Sequence, residues 1–194
     1  MQQKENQRVK LTKRLLKESL LSLMENEQIE DISVCELCST AGINRSTFYK
    51  HYGKPYDVLA DMEQDMINDL SIIWKEKVSG QWTFSKGIEL VSTYLKEHER
   101  FTKLLLRDTK TDLEFAGKLT GSDHVKKMYD RLLADVKDPE SRRLIMTFST
   151  TGSYQMIRQW LLDDSTKSPK EMGELAGQMV SIVIKDQRNR HSIL

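Results

Sequence analysis

Two short stretches of helical periodicity, separated by a single glycine, lie between residues 33 and 52. Ser33 is a favourable N-cap for the first stretch. The apolar positions that follow it recur at helical spacing: Val34, Leu37, Cys38 and Ala41. Gly42 comes next, and glycine enters left-handed backbone conformations at little cost. Since Asn44 can cap a second helix, the sequence predicts two short helices joined by a sharp turn.

The second helix offers hydrogen-bond donors and no acidic side chain. Phe48 is expected to point inward together with Ile43, at the helical spacing of an amphipathic segment. The other side chains from 45 to 51 are cations, hydroxyls and an imidazole, which suit a polyanion: Arg45, Ser46, Thr47, Tyr49, Lys50 and His51. This arrangement is that of a helix-turn-helix, whose second helix lies in the major groove of DNA.

The pattern S-V-x-x-L-C-x-x-A-G-I-N-R-S-T-F-Y-K-H-Y, followed by Lys54 and a long helix, resembles the DNA-binding region of the TetR/AcrR family of transcriptional regulators. The resemblance implies an all-α protein. An N-terminal three-helix DNA-binding domain is expected at residues 1–54, with its motif at 33–52, and a larger helical regulatory and dimerisation domain at 55–194. The implied function is that of a homodimeric repressor of a double-stranded DNA operator, modulated by a small-molecule effector. The alternative is a co-regulator that acts through a protein partner without binding the operator.

The resemblance also indicates which residues meet DNA. Tyr49, His51 and Lys54 match the phosphate-binding end of the family's recognition helix. Ser33 is expected near a phosphate, because the exposed amides of a helix N-terminus favour an anion. The side chains expected at base edges are Arg45, Ser46, Thr47 and Lys50, arginine being suited to guanine. For each residue the alternative is a solvated surface side chain.

The sequence departs from the family at Pro55, where family members usually have lysine. The amide of that lysine can meet a phosphate, whereas proline has no amide hydrogen. The side chain of Lys54 is therefore expected to replace this contact.

Composition supports a helical protein without a membrane span. The 194 residues include only three prolines and nine glycines, which favours helices over turn-rich β structure. No apolar run approaches the length of a membrane span, and the polar N-terminus does not resemble a signal peptide. We therefore expect a cytoplasmic protein. The net charge is +1, yet residues 1–17 contain six cations and one acid, which indicates either a nucleic-acid-binding arm or a solvated terminus.

Apolar periodicity, prolines and glycines predict the helices outside the motif. The predicted ranges are about 9–26, 55–78, 84–96, 101–107, 139–162 and 169–185. A further helix is expected from about 112 to 136, and the polar stretch 117–123 is expected to interrupt it.

The last two predicted helices are similar to the pair through which TetR-like proteins dimerise. Small side chains share one face of the final helix, which allows close helix approach. The residues expected at the dimer interface are Gly152, Met156, Trp160, Gly173, Gly177 and Val180. The alternative is an ordinary contact within one chain.

In this family an effector binds in the second domain. By position, the residues expected to line its pocket are Trp74, Tyr94, Phe101, Phe115, Met128, Tyr129 and Tyr154. For each of them, a place in a packed core is the alternative.

No motif indicates catalysis, a cofactor or a metal. The four histidines lack a glutamate three residues before them, and zinc-protease, dinucleotide and phosphate-loop motifs are absent from the sequence. We therefore expect no enzymatic activity, no catalytic residue, no cofactor and no metal site. Cys35 and Cys38 are spaced as a possible thiol pair, but no strand precedes them. Core packing is the preferred interpretation for Cys38, with Cys35 exposed.

Overall fold

The computed structural model describes residues 2–77, 83–107 and 109–191, and all regular secondary structure in these ranges is α-helical. The helices are α1 Gln2–Met24, α2 Val34–Ala41, α3 Arg45–Phe48, α4 Pro55–Lys77, α5 Phe84–Glu97, α6 Glu99–Arg107, α7 Thr109–Thr120, α8 Asp123–Leu132, α9 Pro139–Leu162 and α10 Pro169–His191. The predicted all-α class is confirmed. No helix in the described part of the chain combines the length and apolarity needed to cross a bilayer.

The chain divides into two compact units, Met1–Met66 and Ile67–Leu194. This boundary falls inside α4, whereas the predicted domain boundary follows residue 54. The first turns of α4 belong with α1 because Asp61 on α4 accepts charge-assisted bonds from α1, with Lys17 Nζ at 2.9 Å and Lys13 Nζ at 3.3 Å. We call the two units the N-terminal unit and the C-terminal unit.

The core of the N-terminal unit is built from apolar side chains of α1, α2 and α3. Leu16 and Leu20 of α1 are fully buried, as are Leu37 of α2 and Phe48 of α3. Ile29 and Ile32, on the connection between α1 and α2, close this core and are each 4% exposed. Two helices alone bury too little apolar surface to be stable. This unit therefore needs the apolar side chains of all three helices and of the connection.

Helix α1 begins earlier than predicted, at Gln2 rather than near residue 9. The basic N-terminal segment is therefore helical and not an extended arm. Its cations are partly used within the chain, since Lys17 contacts Asp65 at 2.5 Å and Arg14 contacts Glu18 at 3.7 Å. Apolar periodicity does not predict the first two turns of α1, because residues 2–8 contain no apolar stripe.

Proline and capping residues fix the starts of the two last helices as predicted. Pro139 opens α9, and the carboxylate of Asp138 accepts the amide hydrogen of Ser141 at 2.8 Å. Pro169 opens α10, where Ser168 and Glu171 bond each other's amides at 2.7 Å and 3.3 Å, a capping box. Both helices begin where their first-turn signals place them.

The predicted interruption of the helix after residue 112 is present but narrower than the stretch 117–123. Helix α7 ends at Thr120, and Ser122 caps α8 by accepting the amide hydrogen of Val125 at 3.4 Å. Only Gly121 and Ser122 separate the two helices. The predicted end of the fourth helix, Val78, lies outside the described residues.

In the C-terminal unit, α10 packs closely against α5. A Cβ atom placed on Gly173 would lie 2.4 Å from the carbonyl oxygen of Ser85, and one on Gly177 would lie 1.8 Å from Ser85 Oγ. The small face of α10 is thus occupied within the chain. Buried side chains on these and neighbouring helices form the core around this contact, among them Phe84, Tyr129, Ile145 and Val180.

For most of the predicted dimer residues, this packing favours the alternative of a contact within one chain. Gly173, Gly177 and Val180 serve the contact within the chain, and Met156 packs against the same core. Trp160 is 4% exposed, and its indole donates a hydrogen bond to the Lys167 carbonyl at 2.7 Å. Of the six predicted residues, Gly152 remains exposed.

Candidate nucleic-acid interface

The turn between α2 and α3 has the backbone that its glycine predicts. Gly42 adopts φ 65° and ψ 29°, in the left-handed region. The amide of Ile43 donates to the Cys38 carbonyl at 3.0 Å, and that of Gly42 donates to the Ser39 carbonyl at 3.3 Å. These bonds satisfy the last carbonyls of α2 in a Schellman-type ending. The turn therefore redirects the chain at one residue.

The segment after the turn is anchored by Phe48. Helix α3 spans only Arg45–Phe48, but the helical turn continues, because the His51 amide donates to the Phe48 carbonyl at 2.9 Å. The Phe48 ring is fully buried and meets the rings of Tyr49 and Tyr52 at centroid distances of 5.5 Å and 5.9 Å. Asn44 stands at the N-cap position but its side chain makes no capping bond. Burying Phe48 turns the polar side of this segment outward.

The predicted DNA-contacting side chains are accessible. Exposed members are Ser33, Arg45, Ser46, Tyr49, Lys50 and Lys54, whereas Thr47 and His51 are half-buried. Tyr49 is 59% exposed despite its aromatic ring. The stretch from 44 to 56 contains no carboxylate, and Asp57 is the first acid after it. The N-terminal unit thus presents a compact cationic and hydroxyl surface, which we call the donor surface (residues 45–54).

Arg45 is held by a contact with α2. Its guanidinium donates to Cys35 Sγ at 2.7 Å. Cys35 is exposed and Cys38 is buried, as expected. Burial raises the pKa of the Cys38 thiol, although the charge of Arg45 opposes this shift. Cys38 therefore behaves as a small core residue.

The amides at two nearby helix starts are already bonded by side chains of the protein. Ser33 Oγ accepts the amide hydrogen of Glu36 at 3.1 Å. At the start of α4, the carboxylate of Asp57 accepts the amides of Gly53 at 2.7 Å and Lys54 at 3.1 Å. These amides are therefore poor phosphate ligands, and the side chain of Lys54 is the donor that this end of the surface offers. Its Nζ lies 5.3 Å from the centre of the Tyr56 ring.

A charged cluster that sequence reasoning missed supports the donor surface from behind. Asp61 accepts a hydrogen bond from the Tyr52 hydroxyl at 2.7 Å, in addition to its bonds from Lys13 and Lys17. Burial alone would raise the pKa of Asp61, but the bonds from Lys17 and Tyr52 and the lysine charges lower it to about 2. Burial and the Asp61 bond raise the pKa of Tyr52. The cluster fixes Tyr52, which directly follows the donor-bearing turn.

The C-terminal unit contains a partly open cavity of about 300 Å³. Four of the seven predicted pocket residues line it: Trp74, Met128, Tyr129 and Tyr154. The other three are buried elsewhere and do not line this cavity. Tyr94 donates to Asp69 at 2.8 Å, and Phe101 and Phe115 are 9% and 0% exposed. Residues that sequence reasoning missed include Phe84, Ile88, Lys127 and Arg131, because their position depends on how α5 and α8 face each other.

Helices α9 and α10 also carry exposed apolar side chains. Leu144 and Phe148 lie four residues apart on α9, on the same face as Gly152, and are 54% and 66% exposed. On α10, Met179 and Ile182 are 50% and 67% exposed. Large apolar residues are costly to leave in water when they cluster. We call these four residues the apolar face.

Among the described residues, no three side chains of histidine, cysteine, aspartate and glutamate come together as a metal site. The helical architecture and the glycine turn with its donor surface define the class of helix-turn-helix transcriptional regulators. Residues 83–181, more than half of the chain, match the TetR model described as a transcriptional regulator C-terminal region. The chain belongs to the TetR family of transcriptional regulators.

Known relatives share the fold at low sequence identity. The solved structure of a TetR transcriptional regulator from Streptococcus agalactiae has a TM-score of 0.69 and 19% identity, over 93% of this chain and 99% of that one. For a TetR-family regulator from Syntrophomonas wolfei, the TM-score is 0.68 with 14% identity, over 90% and 95%. The uncharacterized HTH-type transcriptional regulator YxbF of Bacillus subtilis is 21% identical over 175 residues, or 86% of this chain. The chain spans 44% of the length of that relative.

Proposed function

We propose that this protein is a homodimeric repressor that binds operator DNA through its donor surface and releases it when an effector enters the cavity of the C-terminal unit. The observation that carries the proposal is the accessibility of Arg45, Tyr49 and Lys50 on a segment anchored by Phe48. The proposal assigns the protein no chemical reaction and no cofactor, and it places the protein in the cytoplasm.

Within this proposal, the donors divide between two roles. Tyr49, His51 and Lys54 bind phosphates and fix the register, whereas Arg45, Ser46, Thr47 and Lys50 reach base edges. Ser33 contributes its hydroxyl beside the backbone, although its oxygen also caps α2. Arg45 must leave Cys35 Sγ, or use its free guanidinium edge, to reach a base.

The direct test is a titration of DNA from the promoter region of the protein's own gene at several salt concentrations. Tyr49→Ala and Lys54→Ala should weaken binding to all sequences, and Lys54→Ala should also reduce the salt slope by about 1, because it removes a charge. Lys137→Ala, an exposed lysine of the C-terminal unit, is the matched control and should bind as the wild type does. Unchanged affinity and slope in both donor-surface variants would contradict the assignment.

A site selection from random DNA separates base reading from phosphate binding. Arg45→Ala should lose preference at one base position, at a cost of about 1–3 kcal/mol. The same selected motif from wild type and variant would remove Arg45 from the base-reading group. If no DNA is selected by the wild type, the co-regulator alternative replaces operator binding.

The apolar face is the proposed dimer interface. Helix-turn-helix proteins read paired half-sites about 34–36 Å apart, which requires two copies. Phe148→Glu places a charge on this face and should shift the protein to monomer in sedimentation velocity, with weaker operator binding. Gln155→Glu, an exposed polar position on the same helix, is the control. A Phe148→Glu protein that remains dimeric would move the interface elsewhere.

A further inference from the structure

The cavity of the C-terminal unit is apolar in its body. Its walls include Trp74 of α4, Ile88 and Val91 of α5, Met128 of α8 and Ile157 of α9. A space of about 300 Å³ is at the lower end of small-molecule sites. Because a water molecule occupies about 30 Å³ in the liquid, such a space holds roughly ten non-hydrogen atoms. The walls therefore suit a small, largely apolar ligand.

The charged residues known to line this cavity are cations. Lys127 and Arg131 line it, and none of the aspartate and glutamate side chains that the structure describes does. Spaced four residues apart on α8, they lie on the same helix face, where like charges repel. Neither forms an ion pair with another described residue, and the neighbouring Asp130 is paired with Arg142 at 3.5 Å. The cavity thus has an apolar body and an uncompensated cationic edge.

A buried hydroxyl adds a second polar feature. Tyr129 lines the cavity and is 1% exposed. Its hydroxyl lies near that of Ser149, but no hydrogen bond of acceptable geometry joins either group to a partner among the described residues. Buried polar groups in proteins are normally hydrogen-bonded. Because this hydroxyl oxygen is itself buried, the ligand contacts proposed below do not include it.

We propose that the cavity binds an amphipathic monoanion, with an apolar chain or ring of the stated size and a carboxylate held by Lys127 and Arg131. Charge complementarity selects the sign, since a cationic head would meet two like charges and a neutral head would gain no charge-assisted hydrogen bond from either. Both side chains can keep their aliphatic stems against the apolar wall while their charges meet the carboxylate. The inference rests on the proposed function, in that this ligand would be the effector.

Isothermal titration calorimetry of the full chain tests the ligand class with three probes that share one alkyl chain: octanoate, 1-octanol and octyltrimethylammonium. Octanoate should bind at least tenfold more tightly than the alcohol, and the cation should not bind. Lys127→Ala and Arg131→Ala should each weaken octanoate about three- to tenfold and leave the alcohol unchanged. Lys126→Ala, the exposed neighbour that does not line the cavity, is the matched control. Circular dichroism establishes that each variant is folded.

Three outcomes would overturn the inference. Equal affinity for octanoate and 1-octanol would remove the role of charge, and binding of none of the probes would remove the ligand class. An equal loss of octanoate affinity in the Lys126→Ala control would show that octanoate is attracted to surface charge in general. Operator titrations on the same preparations keep the two proposals separate. A protein that shifts DNA but ignores octanoate refutes the ligand class alone, and one that binds octanoate but no DNA refutes the proposed function alone.

Discussion

Replacing Asp61 by asparagine should lower the stability of the N-terminal unit. The pKa of Asp61 gives the size of this loss. The carboxyl has an ordinary value of 3.8 and a value of about 2 in the folded protein. At 1.36 kcal/mol for each unit, the ionised form contributes about 2.5 kcal/mol. Because the side chain is 28% exposed, solvent screening reduces this to about 2 kcal/mol. The pKa is lowered on folding, so the contribution is complete above pH 3.8 and is lost as the pH falls toward 2.

Hydrogen exchange measured by mass spectrometry reports this loss within one unit. At pH 7, peptides from α1 should lose about 30-fold in protection in Asp61→Asn, the equivalent of about 2 kcal/mol. Asparagine keeps an acceptor for the Tyr52 hydroxyl, so the change removes mainly the charge that faces Lys13 and Lys17.

Asp65→Asn is the matched control for Asp61→Asn. Asp65 bonds the same Lys17 at 2.5 Å but is 62% exposed, so its loss should change protection less than about fivefold. Equal effects of the two variants, or a change below threefold in Asp61→Asn, would refute the argument that burial gives the Asp61 contacts their strength.

Three further stability predictions use urea denaturation. Phe48→Ala removes a fully buried ring and should lower the free energy of unfolding by about 3–5 kcal/mol. A loss below about 1 kcal/mol, which is typical of a surface substitution, would mean that the ring does not anchor this segment. Gly173→Ala should destabilise by about 1–3 kcal/mol through overpacking, whereas Gly117→Ala, with open space around it, should stabilise by up to about 1 kcal/mol; equal effects would contradict the close approach. Arg158→Met leaves the Asp112 carboxylate, 2.9 Å from Arg158 Nε, without its cation and should cost about 3 kcal/mol. Adding Asp112→Asn to that variant should recover part of the loss, and no recovery would mean that the charge is not the cause.

Local signals were sufficient for the turn and for several helix starts. Gly42, Pro139 and Pro169 each restrict the backbone at one position, so their consequences do not depend on the rest of the fold. The inward position of Phe48 followed from helical spacing alone. The same reasoning placed the donor residues on the opposite side, and the structure leaves them accessible.

Features that depend on which helices become neighbours were not predictable. The small face of α10 indicated close helix packing, but its spacing is the same whether the partner is α5 or a second chain. Asp61 and Lys17 are far apart in sequence, and nothing local marks them as a pair. Tyr94, Phe101 and Phe115 were placed in the pocket by position, although burial in a core has the same aromatic signature.

Ser85 of α5 packs between Gly173 and Gly177 of α10, and this contact limits how the C-terminal unit can rearrange. Sliding α10 along α5 would drive the next side chains into the Ser85 backbone, because only the two glycines leave room for it. Helices α5 and α10 are therefore expected to move together as one rigid body. Strain imposed on this unit should be taken up by the shorter helices around it, α6 to α8, and deuterium labelling should find the least protected amides there.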